Sequence, residues 1–488
     1  MKKGNNNNLI SKVTDFKIIL GIQILASLIL NAFLFKLGAL PMKYALIIVV
    51  VTFLLCLMTF FLMKPSKKKN QGVTKNVIGK VVSILLSVFL LWGSLFVAQG
   101  DSVLGSITGA NKQITRVSVV VLADSGYEDL SDIKGETVEI YTKDEPDLMS
   151  KALEALNKKE SSIQTKEVKN FTDLADDLYE KKTKAIFLNE AFNGTFEEKH
   201  EDYASKTKVI WTFEIVEEVK DLSKNVDVTK EAFTVYISGI DTYGKVSTVS
   251  RSDVNMIVTV NPKTKQILMT SIPRDYYVTL ANKGKKDKLT HSGLGGIENT
   301  VKTVENYMGI DINYYARVNF TSLIKIVDAL GGVEVESPVA FKSVAGYSFK
   351  KGTNHVNGEQ ALAFSRERSA LGGGDNARVA NQQRVLTAML KKMMSPAIIT
   401  SYSSVLSSIN GSFETNMSSK EITSLIQMQI NDMASWTFIS KQLTGSGEFL
   451  YGGAYMPNSN LWYMIPNEAS VTENKQAIQK VLKGESVK

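Results

Sequence analysis

The chain has 488 residues, with 57 Lys and Arg against 49 Asp and Glu for a formal net charge of +8, one cysteine and three histidines. One cysteine excludes a disulfide framework, and Cys56 with the scattered His200, His291 and His355 excludes a Cys/His zinc site. Residues 1–99 hold twelve Lys, no Arg and one acid, a balance of +11 that leaves −3 for residues 100–488, so nucleic acid is not an expected partner of the larger part.

Three apolar runs come first, Ile18–Leu40, Tyr44–Met63 and Val77–Ala98. Each is close to the roughly 20 residues that a bilayer core demands. Lys36 and Lys80 interrupt the first and third and must snorkel to an interface. Three spans with short loops fit an integral anchor better than a cleaved signal peptide. Lys2, Lys3, Lys12 and Lys17 precede the first span, and Lys64, Lys67, Lys68, Lys69 and Lys75 fill the second loop. By the positive-inside rule the N-terminus and second loop are cytoplasmic, and everything after about Gly100 is extracytoplasmic. The expected location is therefore the cell membrane, with several spans.

The length beyond the anchor suggests two domains that fold on ordinary apolar cores. The expected division is 1–99 for the membrane anchor, 100–225 for an accessory α/β domain and 226–488 for a larger domain, with a linker near Val219–Glu231. In the accessory part, Arg116–Leu122, Thr137–Tyr141 and Ala185–Leu188 read as strands, and Pro146–Asn157 and Phe171–Lys181 as helices. Asp124, Glu128 and Asp129 follow the first strand, but an acidic loop is ordinarily just solvated. No catalytic constellation stands out there, and a binding or spacer role is the default.

From Ala232 the texture changes. Phe233–Ile240, Val254–Val260 and Gln266–Ile272 are apolar, β-branched strands of the kind that a sheet covered on both faces requires. Ile297–Met308 and Leu323–Leu330 have helical spacing, the second closed by Gly331-Gly332, and Ser418-Ser-Lys-Glu421 is a capping box. The fold class expected is α/β: three N-terminal transmembrane helices, a small accessory α/β domain, then an α/β/α sandwich with a mixed central sheet.

Arginines then appear where solvent cover does not explain them. Ser-Ile-Pro-Arg274-Asp275 ends a strand, Phe364-Ser-Arg366-Glu-Arg368 precedes Gly372–Gly374 and Asp375, and Arg378 and Gln382 lie four apart on the helix that follows. Asp241 and the pair Arg251 and Asp253 lie upstream. Guanidinium forks suit phosphate, and carboxylates suit a hard divalent cation, so the set reads as a site for a metal-bound pyrophosphate. Arg366 and Arg368 share a face if Ala363–Arg368 is extended, with Glu367 turned away. Duller readings exist for each: Asp375 as an N-cap, Asp241 as a turn residue, Arg366 and Arg368 as rim residues. The glycine run lacks the Lys-Ser/Thr of a P-loop.

The motifs Gly239-Ile-Asp241, Arg251-Ser-Asp253, Asn261-Pro262, Ser271-Ile-Pro-Arg274-Asp275, Val327-Asp-Ala-Leu-Gly-Gly-Val333, Leu362-Ala-Phe-Ser-Arg-Glu-Arg368 and Asp375-Asn-Ala-Arg378 resemble the catalytic domain of the LytR-CpsA-Psr family. The anchor and the small domain further resemble its capsule-type, CpsA-like streptococcal members. The resemblance implies a membrane-anchored transferase that moves capsular or cell-wall polysaccharide from an undecaprenyl-pyrophosphate carrier onto peptidoglycan, with Mg²⁺ and in company with other capsule-assembly proteins. It also implies the roles: Asp241 and Asp253 for the metal, Arg251, Arg274, Arg366, Arg368, Arg378 and Gln382 for the pyrophosphate, and Asp375 as general base. Arg251 and Arg274 would act in catalysis as well as binding. Asn381 departs from the family, where many members have arginine. Ile297, Val301, Ile324 and Val327 are readable either as walls of a groove for the polyprenyl tail or as ordinary core. A non-catalytic regulator or scaffold of capsule synthesis is the competing reading.

Overall fold

The computed structural model describes residues 15–64, 71–240, 245–368, 374–395, 405, 408, 411 and 413–487. They fall into two compact units. One takes its described residues from Met1–Thr108, Lys392–Asn410 and Ser418–Ser435; the other comprises those of Gly109–Lys391, Gly411–Met417 and Trp436–Lys488.

Among the described residues the first unit contains three helices long and apolar enough to cross a membrane, α1 (Phe16–Leu37), α2 (Met42–Met63) and α3 (Gln71–Ile107). Asp15 caps α1 through Lys17 N at 2.9 Å, and Gly38 ends it at φ +63°. A polar seam joins the three. Gln23 Oε1 accepts from Thr59 Oγ1 at 2.7 Å and Ser83 Oγ at 2.6 Å, and Asn31 Nδ2 donates to Thr52 Oγ1 at 3.1 Å. Such bonds fix helix rotation where apolar contact cannot distinguish neighbour from lipid. Lys36, an interfacial lysine by sequence, pairs with Asp101 at 2.7 Å. The helix α3 has 37 residues, more than the predicted span, so at about 1.5 Å per residue it outruns a ~30 Å hydrocarbon core.

The second unit carries two sheets. The first has five strands, β1 (Lys112–Leu122), β2 (Thr137–Ile140), β3 (Gln164–Glu167), β4 (Ala185–Asn189) and β5 (Thr207–Glu218), in the order β3-β2-β4-β1-β5, with helices α4 (Pro146–Lys159) and α5 (Asp173–Tyr179). The second has six, β6 (Phe233–Ile240), β7 (Val254–Asn261), β8 (Gln266–Ile272), β9 (Tyr314–Asn319), β10 (Phe413–Thr415) and β11 (Thr437–Gln442), in the order β10-β9-β6-β7-β8-β11. Parallel pairs β9/β6 and β8/β11 stand beside antiparallel ones, so the sheet is mixed.

Strand alternation sorts the helices onto two faces. Leu268 joins a core with residues of α6 (Gly296–Met308) and the terminal helix Glu468–Lys483. Its neighbour Met269 points the other way, toward Thr387 of α9 (Gly374–Met393). Two more helices, α7 (Phe320–Ala329) and α8 (Gly358–Arg366), complete an α/β/α arrangement. The same core runs on into the five-stranded part through Phe171, Phe192, Phe196 and Tyr203, so the two sheets share buried apolar surface.

Candidate active site

The antiparallel register of β7 on β8 explains why two motifs 21 residues apart meet. Asn255 pairs with Ile272, so two residues further out Asp253 lies beside Arg274. Arg274 Nη1 reaches Asp253 Oδ1 at 2.8 Å, and Thr290 Oγ1 donates to the same oxygen at 3.2 Å. Asp253 N donates to Gly239 O at 2.8 Å, which ties this corner to the end of β6. Only 10% of the Asp253 side chain is exposed, yet it is ionised. Burial works against the charge, and the Arg251, Arg274 and Arg378 guanidiniums outweigh it and hold the carboxyl below its ordinary range. Charge from arginines on three separate segments therefore bears on one carboxylate, and Arg274 touches it directly.

Arg274 Nε lies 3.5 Å from Asp275 Oδ2, and Asp275 Oδ1 lies 3.6 Å from Lys288 Nζ. Arg378 and Gln382 are half-buried on α9. Their neighbour Gln383 is buried and fastens the helix to the sheet, its Nε2 donating to Ser271 Oγ at 2.9 Å and Lys441 O at 2.7 Å. Asn381 is fully buried, with Nδ2 donating to Phe364 O at 2.9 Å and Oδ1 accepting from Arg384 at 2.8 Å. In place of a basic contact, this position joins α9 to α8.

The extended form of Ala363–Arg368 on which a shared face for Arg366 and Arg368 depends is not found. Asn357 and Gln360 form a capping box, and Ala361, Leu362, Phe364 and Ser365 bury one side, so the chain is helical through Arg366. The outcome for the arginines is nonetheless similar. Extended backbone at Glu367 follows the helix; Glu367 turns inward and accepts from Val344 N at 3.0 Å, while Arg366 and Arg368 are exposed. The Arg366 guanidinium lies 4.5 Å from the Phe320 ring centre. Ile297, Val301 and Val327 are buried; the first two belong to the shared core, whereas Ile324 is half-buried.

Asp241 lies outside the described residues. Asp375 falls in the first turn of α9, and its side chain also lies outside them. Among the described residues no group of three His, Cys, Asp or Glu could hold a metal. One observation does fit a hard cation: Asp253 Oδ2 is buried without a hydrogen-bond partner, an ionised oxygen left uncommitted. Sequence reasoning missed Thr290, Lys288 and His291. The compact run Lys288-Leu-Thr-His291 was the available signal.

Comparison with known proteins bears on the family. The model of the LytR_cpsA_psr family matches residues 186–480. Another, of a DNA polymerase processivity factor, matches residues 48–188, a range that starts inside α2 and takes in only part of the five-stranded sheet. The Enterococcus faecalis polyisoprenyl-teichoic acid–peptidoglycan teichoic acid transferase TagU is 38% identical over 210 residues, 42% of this chain and 68% of that protein. The Bacillus anthracis protein of the same name is 39% identical over 193 residues, 39% of this chain and 63% of its own length. Among solved structures, B. subtilis TagV has 32% identity and a TM-score of 0.44, covering 53% of this chain and 99% of that one. TagT bound to LIIa-WTA has 31% identity and a TM-score of 0.43, covering 53% and 94%. By the span of the family match and the identity to these relatives, the chain belongs to the LytR-CpsA-Psr family.

Proposed function

We propose that this protein is a membrane-anchored extracytoplasmic transferase that moves a capsular or cell-wall glycopolymer from an undecaprenyl-pyrophosphate carrier onto peptidoglycan. The observation that carries the reading is the buried Asp253, bonded to Arg274 at 2.8 Å and kept charged by Arg251, Arg274 and Arg378 together. Such a cluster is a poor hydrophobic core and a good cradle for a multiply charged anion. The names of the relatives support a lipid-linked donor and a peptidoglycan acceptor, and the nine lysines before the first span and in the second loop support the orientation of the anchor.

In this reading Arg251, Arg274 and Arg378 grip the pyrophosphate, with Gln382 beside Arg378 on α9, and the exposed Arg366 and Arg368 hold it bidentately from the rim. Asp253, bonded to Arg274 Nη1 at 2.8 Å, holds that guanidinium in place. Mg²⁺ held by Asp253 with Asp241 would add neutralising charge on the phosphates. Asp375 takes the proton of the acceptor hydroxyl, whose oxygen forms a bond to the glycan-bearing phosphorus. The phosphoanhydride bond then breaks, and the arginines stabilise the charge that builds on the departing polyprenyl phosphate.

The test is a reconstituted reaction of the full-length protein with a polyprenyl-pyrophosphate-linked glycan and peptidoglycan, followed by ³¹P NMR. A new phosphodiester and free polyprenyl monophosphate are expected. Release of polyprenyl pyrophosphate, with phosphorus-free attachment, would overturn the phosphotransferase assignment.

A further inference from the structure

The loop that carries Arg251 and Asp253 is held by the five-stranded domain as well as by its own sheet. Ile114 of β1 makes two backbone hydrogen bonds with it, Ile114 N to Ser247 O and Val249 N to Ile114 O, both at 2.8 Å. The second attachment is at the turn Asn193–Phe196, where Arg251 Nη1 donates to Gly194 O at 2.8 Å. The guanidinium packs so closely on Gly194 that a Cβ there would meet Arg251 Cζ at 2.3 Å. A third lies four residues on. Glu198 Oε1 takes Lys288 Nζ at 2.9 Å and faces His291 Nε2 at 3.7 Å. From Lys288 a chain of charges leads back through Asp275 and Arg274 to Asp253.

The turn itself is firmly placed. Phe196 stacks on Phe171 with ring centres 4.5 Å apart and packs on Tyr203, and Phe192 meets Tyr455 at 5.6 Å. A backbone carbonyl on such a support is a fixed acceptor, and a fixed acceptor sets the direction of a guanidinium fork.

Resting on the pyrophosphate reading above, we propose that the five-stranded domain is part of the active site: its Gly194 carbonyl and the Ile114 edge are positioning elements that hold Arg251 toward the donor pyrophosphate. The arginine supplied by the larger domain is aimed by the smaller one. A spacer domain would not need to touch this loop at all.

The experiment is a two-by-two comparison in the full-length protein, with Gly194→Ala made alone and in an Arg251→Ala background, and inorganic pyrophosphate as the probe. The backbone at Gly194 is helical, so alanine brings no backbone strain and acts by pushing Arg251 away. Gly194→Ala should weaken pyrophosphate binding about tenfold, the loss of one charge-assisted contact. In the Arg251→Ala background it should change nothing, since the added methyl then meets no guanidinium; a merely structural defect would persist there. Conservative support comes from Glu198, where Asp should retain binding that Gln loses. Unchanged or tighter binding in Gly194→Ala, or an equal loss in both backgrounds, would overturn the proposal. If the wild-type protein and Arg251→Ala bind pyrophosphate alike, the pyrophosphate reading itself fails first.

Discussion

At the scale of single residues, this protein concentrates charge in places where burial would ordinarily forbid it. Asp253 is one such place and His291 is another. His291 is completely buried, with Nδ1 2.9 Å from Asp287 Oδ1. Burial disfavours its charge, but Asp287 and Glu198 outweigh it and raise the imidazolium to about 9. The groups facing it are Asp287, Glu198, Lys288 beside Glu198, and the Tyr455 ring. A raised folded-state pKa stabilises the protein fully below the unfolded value near 6.5 and loses that contribution as pH rises through about 9. Melting temperature should therefore fall between these limits, by an amount on the order of a few kcal/mol of stability. His291→Gln should melt lower at pH 6 and show a flatter profile across the window; an equally steep profile would show that His291 does not carry the effect. Little of this was legible in the sequence. The arginines could be picked out because guanidinium groups at strand ends have few bland uses. The partners of Arg251 and His291 could not, because Gly194 and Glu198 lie 57 and 93 positions upstream, in a segment with no chemistry of its own.

At the scale of elements, the site is made by strand register and close backbone approach. Strands Phe233–Ile240 and Gln266–Ile272 match their sequence bounds, because continuous β-branched runs have no competing period. The condition of an extended Ala363–Arg368 fails, because this segment is helical through Arg366. The cue that decides it, Asn357 with Gln360, sits upstream as a capping box. Gly293 shows how tight the arrangement is. A Cβ there would meet Ser250 O at 2.4 Å and Ser252 N at 2.6 Å, both backbone atoms on either side of Arg251. Backbone cannot swing aside as a side chain can. Gly293→Ala should therefore displace the Arg251–Asp253 loop, destabilise the protein by roughly 1–3 kcal/mol and lower transfer further than that loss of folded protein explains. Calorimetry paired with transfer rates would check it, and wild-type values for both would mean that the loop has room to spare.

At the scale of the whole molecule, a basic apolar segment and a large, slightly acidic portion divide the labour. Composition alone revealed the three helices long and apolar enough to cross a membrane, since hydropathy over some twenty residues needs no tertiary context. The contact between the five-stranded part and the loop of Arg251 and Asp253 needed the structure, because it depends on backbone hydrogen bonds between elements more than a hundred residues apart. Arginines that grip the donor pyrophosphate should be sensitive to loss of the guanidinium fork. The most direct measurement is the rate of glycan transfer to peptidoglycan by full-length wild-type protein, Arg366→Lys, Arg368→Lys and Arg378→Lys, at matched folded concentration. Lysine keeps the charge and loses the bidentate fork, so each variant should be about tenfold to a hundredfold slower, the equivalent of roughly 1.5–3 kcal/mol. Arg366 and Arg368 are exposed, so their variants should melt with the wild type. Near-normal transfer by all three would contradict the account.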